Sequence, residues 1–245
     1  MDATDLIRNS VARVMGLRKS AADNPELARA LSDIKQFQTR RFIGTYADLL
    51  QSTQYQSAAL FFLEELYGEK DYALRDAQFA RIAGTLERLF PRQVVETAVL
   101  LAQLHGLTEE LDLAMAQIWT TLPRTNDVAR YVAAWRAVGR CSDRHQQLAR
   151  VLEIGHELVR LTRTPGLRLM LKMMRVPARL AGLSSFQHFI ESGFDTFVAM
   201  GRKGEGVAYF LETLQARETR LMNQLFDADL VTCETEIHQL LGQSR

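Results

Sequence analysis

Cysteine, proline and tryptophan are all scarce in this chain: two, five and two among 245 residues. Two cysteines, Cys141 and Cys233, cannot build a disulfide framework, nor by themselves a four-ligand zinc site. As reduced thiols they suit the cytoplasm, which is the expected location. An excess of charge of either sign is absent too. Thirty basic residues stand against 29 acidic ones, a net charge of +1, which excludes coating of nucleic acid by bulk charge. No uncharged run approaches the roughly 18 apolar residues of a membrane span. One of the longest, Thr97 to Thr108, contains Gln103 and His105. The amino terminus carries Asp2 and Asp5 without an apolar stretch, so no secretory signal is expected. There is no Gly-x-Gly-x-x-Gly, no phosphate-binding loop, no Gly-x-Ser-x-Gly, and no repeat at the 33- to 47-residue spacing of helical arrays.

What is present reads as helix throughout. The five prolines, Pro25, Pro91, Pro123, Pro165 and Pro177, fall at expected helix starts and stops. Asn24-Pro25 and Asn126-Asp127 read as caps, and Ser184-x-x-Gln187 has capping-box form. Gly106 reads as the end of one helix, with His105 in its last turn, and Thr108 as the start of the next. Val128, Tyr131, Val132, Trp135 and Val138 keep helical spacing, as do Phe186, Phe189, Ile190, Phe194 and Phe197. No segment alternates with period two. The expected fold is all-α: an irregular antiparallel bundle of about nine or ten helices in one domain over residues 1–245, with residues 1–20 as a loosely attached amino-terminal helix.

The most distinctive passage is Tyr55-x-x-x-Ala59-x-Phe61-Phe62-Leu63-Glu64-Glu65-Leu66-Tyr67-Gly68-Glu69-Lys70-Asp71, followed by Arg75-Asp76. Physically it is helix, tight turn, helix. Asp71 is placed to cap the second helix, and Tyr67, Asp71, Arg75 and Asp76 gather at the corner. Two roles suit this corner: a locked structural turn, or a small polar site at one end of an apolar bundle pocket. The passage resembles an uncharacterised bacterial family with a Phe-Phe-Leu-x-x-Leu-Tyr-Gly segment followed by Asp and Arg-Asp. Phe194-x-x-Phe197-x-x-Met200, Phe210-Leu211 and Arg217-Glu218 are similar to the same family. The resemblance implies a helical bacterial protein and brings no activity, cofactor or catalytic residue.

A second feature is charge distribution. From Leu158 to Ile190 there is no acidic residue, while Arg160, Arg163, Arg168, Lys172, Arg175 and Arg179 are basic. Arg168, Lys172, Arg175 and Arg179 step by four, three and four, a cationic helical face interrupted by Pro177. Such a face suits solvent, a second copy of the chain, an acidic protein partner, an anionic ligand or an anionic membrane surface. Nucleic acid is disfavoured because no binding motif accompanies it. The absence of Trp and Phe between Leu167 and Arg179 weakens the membrane option.

Glu153-x-x-His156 has the spacing of a ligand pair in di-iron bundles, but that site needs a second such pair and two further carboxylates, and none is found. Neither cysteine has an evident base nearby in sequence. The expected function is therefore non-catalytic binding or interaction, through the basic helix or a phenylalanine-rich core. The alternative is an enzyme or metal protein using Glu153 and His156, or a pocket of Tyr67, Asp71 and Arg75. The sequence identifies no cofactor.

Overall fold

A computed structural model describes residues 2–65, 72–124, 126–202 and 206–242 of the chain. Among the described residues there are thirteen helices and no strand. They are α1 (Ala3–Ala22), α2 (Pro25–Thr45), α3 (Ala47–Gln51), α4 (Gln56–Glu65), α5 (Ala73–Leu89), α6 (Arg92–Thr121) and α7 (Asp127–Val138). There follow α8 (Cys141–Thr162), α9 (Leu167–Met173), α10 (Arg175–Leu180), α11 (Ser184–Gly201), α12 (Gly206–Asp227) and α13 (Leu230–Gly242). The all-α class holds, and the helices outnumber the nine or ten expected. Pro177 supplies one of the extra divisions. It lacks the N–H that would bond the Met173 carbonyl, and the helical run divides at Met174 into α9 and α10.

Two asparagine caps form as their sequences dictate. Asn24 Oδ1 accepts from the amides of Glu26 and Leu27 at 3.1 and 3.2 Å. Asn126 Oδ1 accepts from Val128 at 2.9 Å and Ala129 at 3.4 Å. The Ser184 capping box does not form. Gln78 of α5 satisfies the start of α11 instead, its Oε1 accepting from the Phe186 amide at 2.9 Å. Gln187 turns away and donates to the Leu171 carbonyl at 2.7 Å. A long-range partner has replaced the local one.

The expected helix end at Gly106 is also absent. Residues 92–121 form one 30-residue helix, α6, which packs on α1, α2, α5, α7 and α8. A glycine within a helix costs about 1 kcal/mol relative to alanine. Burial of Leu104, Leu107, Leu111, Met115 and Trp119 along the same helix far exceeds that cost. The first helix is not loosely attached either. Its Ile7, Val11 and Val14 are essentially inaccessible to solvent, and α1 lies along both α5 and α6.

Several apolar clusters surround α6. One contains Phe37, Trp119, Tyr131 and Trp135, with Phe37 stacked on Tyr131 at 4.2 Å. A second contains Phe42, Phe62, Phe197 and Phe210, and a third Ile7, Phe79, Leu86 and Phe186. α6 contributes to all three through Met115 and Trp119, Leu104, and Ala102 respectively. Between its two apolar ends it carries His105, Thr108, Glu109 and Asp112, and that interruption positions the site.

Candidate functional site

His105, Thr108, Glu109 and Asp112 step by three, one and three residues, so they share one face of α6. Leu101 and Leu104 continue the same face toward the amino terminus. All six line a chamber of about 60 Å³, together with Lys35 and Gln38 of α2, Arg75 and Asp76 of α5, and Gln147 of α8.

Asp76 is the centre of the polar wall. It is 2% exposed, and its Oδ2 lies 2.8 Å from Arg18 Nη1 and 2.9 Å from His105 Nε2. Burial alone would push its carboxyl pKa up. The hydrogen bond from His105 and the charges of His105, Arg18 and Arg75 outweigh burial and hold it below the usual carboxylate value. Glu109 follows the same rule: burial opposes its charge, and Lys35 and Arg18 prevail, so its pKa is lowered. Its Oε1 accepts from Arg18 at 2.9 Å and from Lys35 at 3.0 Å. Arg18 therefore bridges two buried carboxylates, and they raise its own pKa against the opposing effect of burial.

Asp112 behaves differently. Burial dominates there and raises its pKa despite Lys35, Arg144 and the hydrogen bond from Gln38 Nε2 at 3.0 Å. The wall thus combines carboxylates stabilised in charged form with one biased toward the neutral form.

With Asp76 ionised, His105 Nε2 carries the proton shared between them, because a carboxylate only accepts. The 3.2 Å approach of Arg18 Nη2 to that nitrogen is then a contact between two donors. In the neutral ring Nδ1 is the basic nitrogen, and it has no hydrogen-bond partner among the described residues. An imidazole held at one nitrogen by a buried carboxylate and open at the other can take a proton from a neighbouring molecule. Arg75 lies flat against two rings, its Cζ 4.0 Å from the Tyr72 centroid and 4.7 Å from that of Phe189.

The other wall is apolar. A second chamber of about 110 Å³ is lined by Phe61, Phe62, Phe79, Phe186, Phe189 and aliphatic residues of α6 and α8. It shares Phe79, Leu101, Leu104, Val151, Phe186 and Phe189 with the polar chamber, so the two adjoin. Arg18, Lys35 and His105 side chains retain 20–22% of their exposure, so the polar end is not sealed from solvent.

The structure sorts the sequence candidates. Arg75 and Asp76 do lie in a pocket beside apolar residues. Tyr67 and Asp71 lie outside the described residues. Asp76 is partnered by Arg18 and His105, which come from helices remote in sequence. Arg168 and Lys172 lie on α9, and Arg175 and Arg179 on α10. Arg168 pairs with Asp195 at 2.8 Å and Arg175 with Glu191 at 2.8 Å, so α11 neutralises part of the cationic face.

Glu153 and His156 are both exposed, and His156 Nδ1 is 2.8 Å from the Leu152 carbonyl oxygen. Among the described residues no three His, Cys, Asp or Glu side chains gather to hold a metal ion. Cys141 does have a neighbouring base that the sequence reading overlooked. His145 Nδ1 lies 3.5 Å from its sulfur, one helical turn on. That nitrogen is also 2.8 Å from the Cys141 carbonyl oxygen, to which it donates as N–H, leaving it unable to deprotonate the thiol.

A family model described as domain of unknown function DUF8198 matches residues 17–231. The chain belongs to that family. No curated protein and no solved structure matches it. The DUF8198 match runs from α1 into α13 and so includes every polar residue of the chamber. Among the described residues no helix is long and apolar enough to cross a membrane.

Proposed function

We propose that this DUF8198 protein binds a small amphipathic molecule inside the helical bundle. The apolar body of the molecule enters the phenylalanine-lined chamber, and one polar end rests beside His105, Asp76 and Glu109. The observation that carries this reading is that a nearly all-apolar chamber adjoins a charged one, with six lining residues in common. Small-molecule sites have this composition: largely apolar walls with a few convergent polar groups. The size sets the class. An engineered cavity of about 150 Å³ accepts benzene. The apolar chamber, at about 110 Å³, suits one ring or a short alkyl chain rather than a long lipid.

The polar end has a hydrogen-bond acceptor at His105 Nδ1 and a carboxyl biased toward protonation at Asp112. A hydroxyl, carbonyl or carboxyl group would find partners there. The two free thiols, one of them exposed, support placing the protein in a reducing cytoplasm, and the family resemblance supports a bacterial one.

Native mass spectrometry of gently purified protein tests the reading, followed by titration with benzyl alcohol, benzoate and benzylamine. A retained small mass, or saturable binding of at least one probe that is lost on filling the apolar chamber, is the expected result. Failure of all three probes together with a bare native mass would overturn it.

A further inference from the structure

The outward face of α9 and α10 carries a row of apolar side chains, and nothing among the described residues covers it. Leu169, Met173, Val176 and Leu180 are 62, 67, 55 and 81% exposed. They step by four, three and four residues. Met174, which joins the two helices, keeps right-handed helical backbone at φ −72° and ψ −11°, so the four share one side of the run. The inward side is accounted for separately: Leu167, Leu171 and Ala178 are buried against α8 and α11. The exposed row is therefore surplus to the core.

Each exposed apolar residue is preceded by a basic one: Arg168, Lys172, Arg175 and Arg179. The apolar row and the cationic row run side by side, with no acidic residue between positions 158 and 190 of the sequence. Arg168 and Arg175 meet Asp195 and Glu191 of α11, whereas Lys172 and Arg179 have no partner among the described residues.

We propose that α9 and α10 seat this protein on an anionic lipid surface. The four aliphatic side chains enter the boundary between headgroups and acyl chains. Lys172 and Arg179 reach the lipid phosphates, and their stems cover the edge of the apolar row. Charge complementarity selects an anionic surface over a neutral one. Aliphatic residues lying beside a row of basic ones is the pattern of a helix that rests in the interfacial plane of an anionic bilayer. The absence of Trp and Phe weighs against a membrane in the sequence; the exposure of four aliphatic residues supplies the missing apolar surface. The inference is independent of the interior chamber.

Co-sedimentation with phosphatidylcholine vesicles containing 30% phosphatidylglycerol, against pure phosphatidylcholine, tests it. The wild-type chain is expected to pellet with the anionic vesicles only. Leu169→Glu/Leu180→Glu should reduce pelleting at least tenfold with an unchanged circular dichroism spectrum, since both side chains are exposed. Lys172→Ala and Arg179→Ala should each weaken binding about fivefold, the contribution of one basic residue near an anionic surface. Equal pelleting on both vesicles, or none on either, would overturn the proposal. So would a wild-type dimer in sedimentation velocity that Leu169→Glu/Leu180→Glu converts to monomer, because a second copy would then be what covers this face.

Discussion

Replacing Asp76 by asparagine removes one negative charge from the polar wall with almost no change in shape. In the native chain Asp76 Oδ2 meets both Arg18 and His105. The asparagine Oδ1 has two lone pairs and can accept both hydrogen bonds, but it cannot compensate the Arg18 charge. Breaking a buried ion pair by removing one partner costs about 3–5 kcal/mol. Arg18 retains 22% of its side-chain exposure and keeps Glu109 at 2.9 Å, so the cost falls to the bottom of that range or just below it, about 2–3 kcal/mol. For a domain of this size that corresponds to a fall in Tm of about 5–10 °C.

The pH dependence makes the test sharper. The Asp76 pKa is lowered in the folded protein. Its contribution to stability is therefore fully present above the ordinary carboxylate value of about 3.9 and disappears as pH falls through the folded value. Thermal melts of wild-type and Asp76→Asn protein, followed by circular dichroism from about pH 2 to pH 8, should show the full deficit down to about pH 4 and a narrowing only below it. A shift below about 2 °C at pH 7.5, or a deficit that widens on acidification, would refute the reasoning.

Asp112→Asn should act in the opposite sense. The Asp112 pKa is raised, so the folded state is penalised as pH rises above the ordinary carboxylate value, and a neutral amide that still accepts from Gln38 escapes that penalty. Its melting temperature at pH 8 should equal or exceed wild type, and the gain should vanish at acid pH. Gly44→Ala should detach α13 from α2, since an added Cβ would lie 1.8 Å from the Leu240 carbonyl oxygen. Hydrogen exchange over residues 230–242 should accelerate while exchange in α6 is unchanged. Thiol titration with Ellman's reagent should find Cys141 at once and Cys233 only on unfolding, because Cys233 is 1% exposed and burial pushes its thiol pKa up.

The fold class was legible because local signals agreed along most of the chain. Asn24 and Asn126 cap as read, and the stripes of α7 and α11 bury as read. What failed was each place where a distant partner outweighed a local preference. Gly106 is a plausible stop in isolation, yet α1 and α2 give α6 enough to bury that the helix runs through it. Ser184 resembles a cap, yet Gln78 from α5 takes that role.

The site suffered most from the first of these. Dividing α6 at Gly106 separated His105 from Thr108, Glu109 and Asp112 and hid their common face. A polar residue at every third or fourth position within an otherwise apolar helix was the available signal. Arg18, Lys35 and Gln38 gave none, because their partnerships with α5 and α6 span 58 to 91 residues of sequence. Asp76 was found through the Arg-Asp pair of the corner, but its partners Arg18 and His105 lie on helices that no local pattern links to it.

The central claim is that the adjoining chambers take up a small amphipathic molecule. The most direct measurement is an amide NMR titration of wild-type and Ala98→Leu protein with benzyl alcohol, Ala98 being a lining residue of the apolar chamber. The account predicts saturable shifts centred on residues 97–109 and 186–190 in the wild type, and their loss in an equally folded Ala98→Leu variant. Saturable shifts of the same size in both proteins, or none in the wild type, would contradict it.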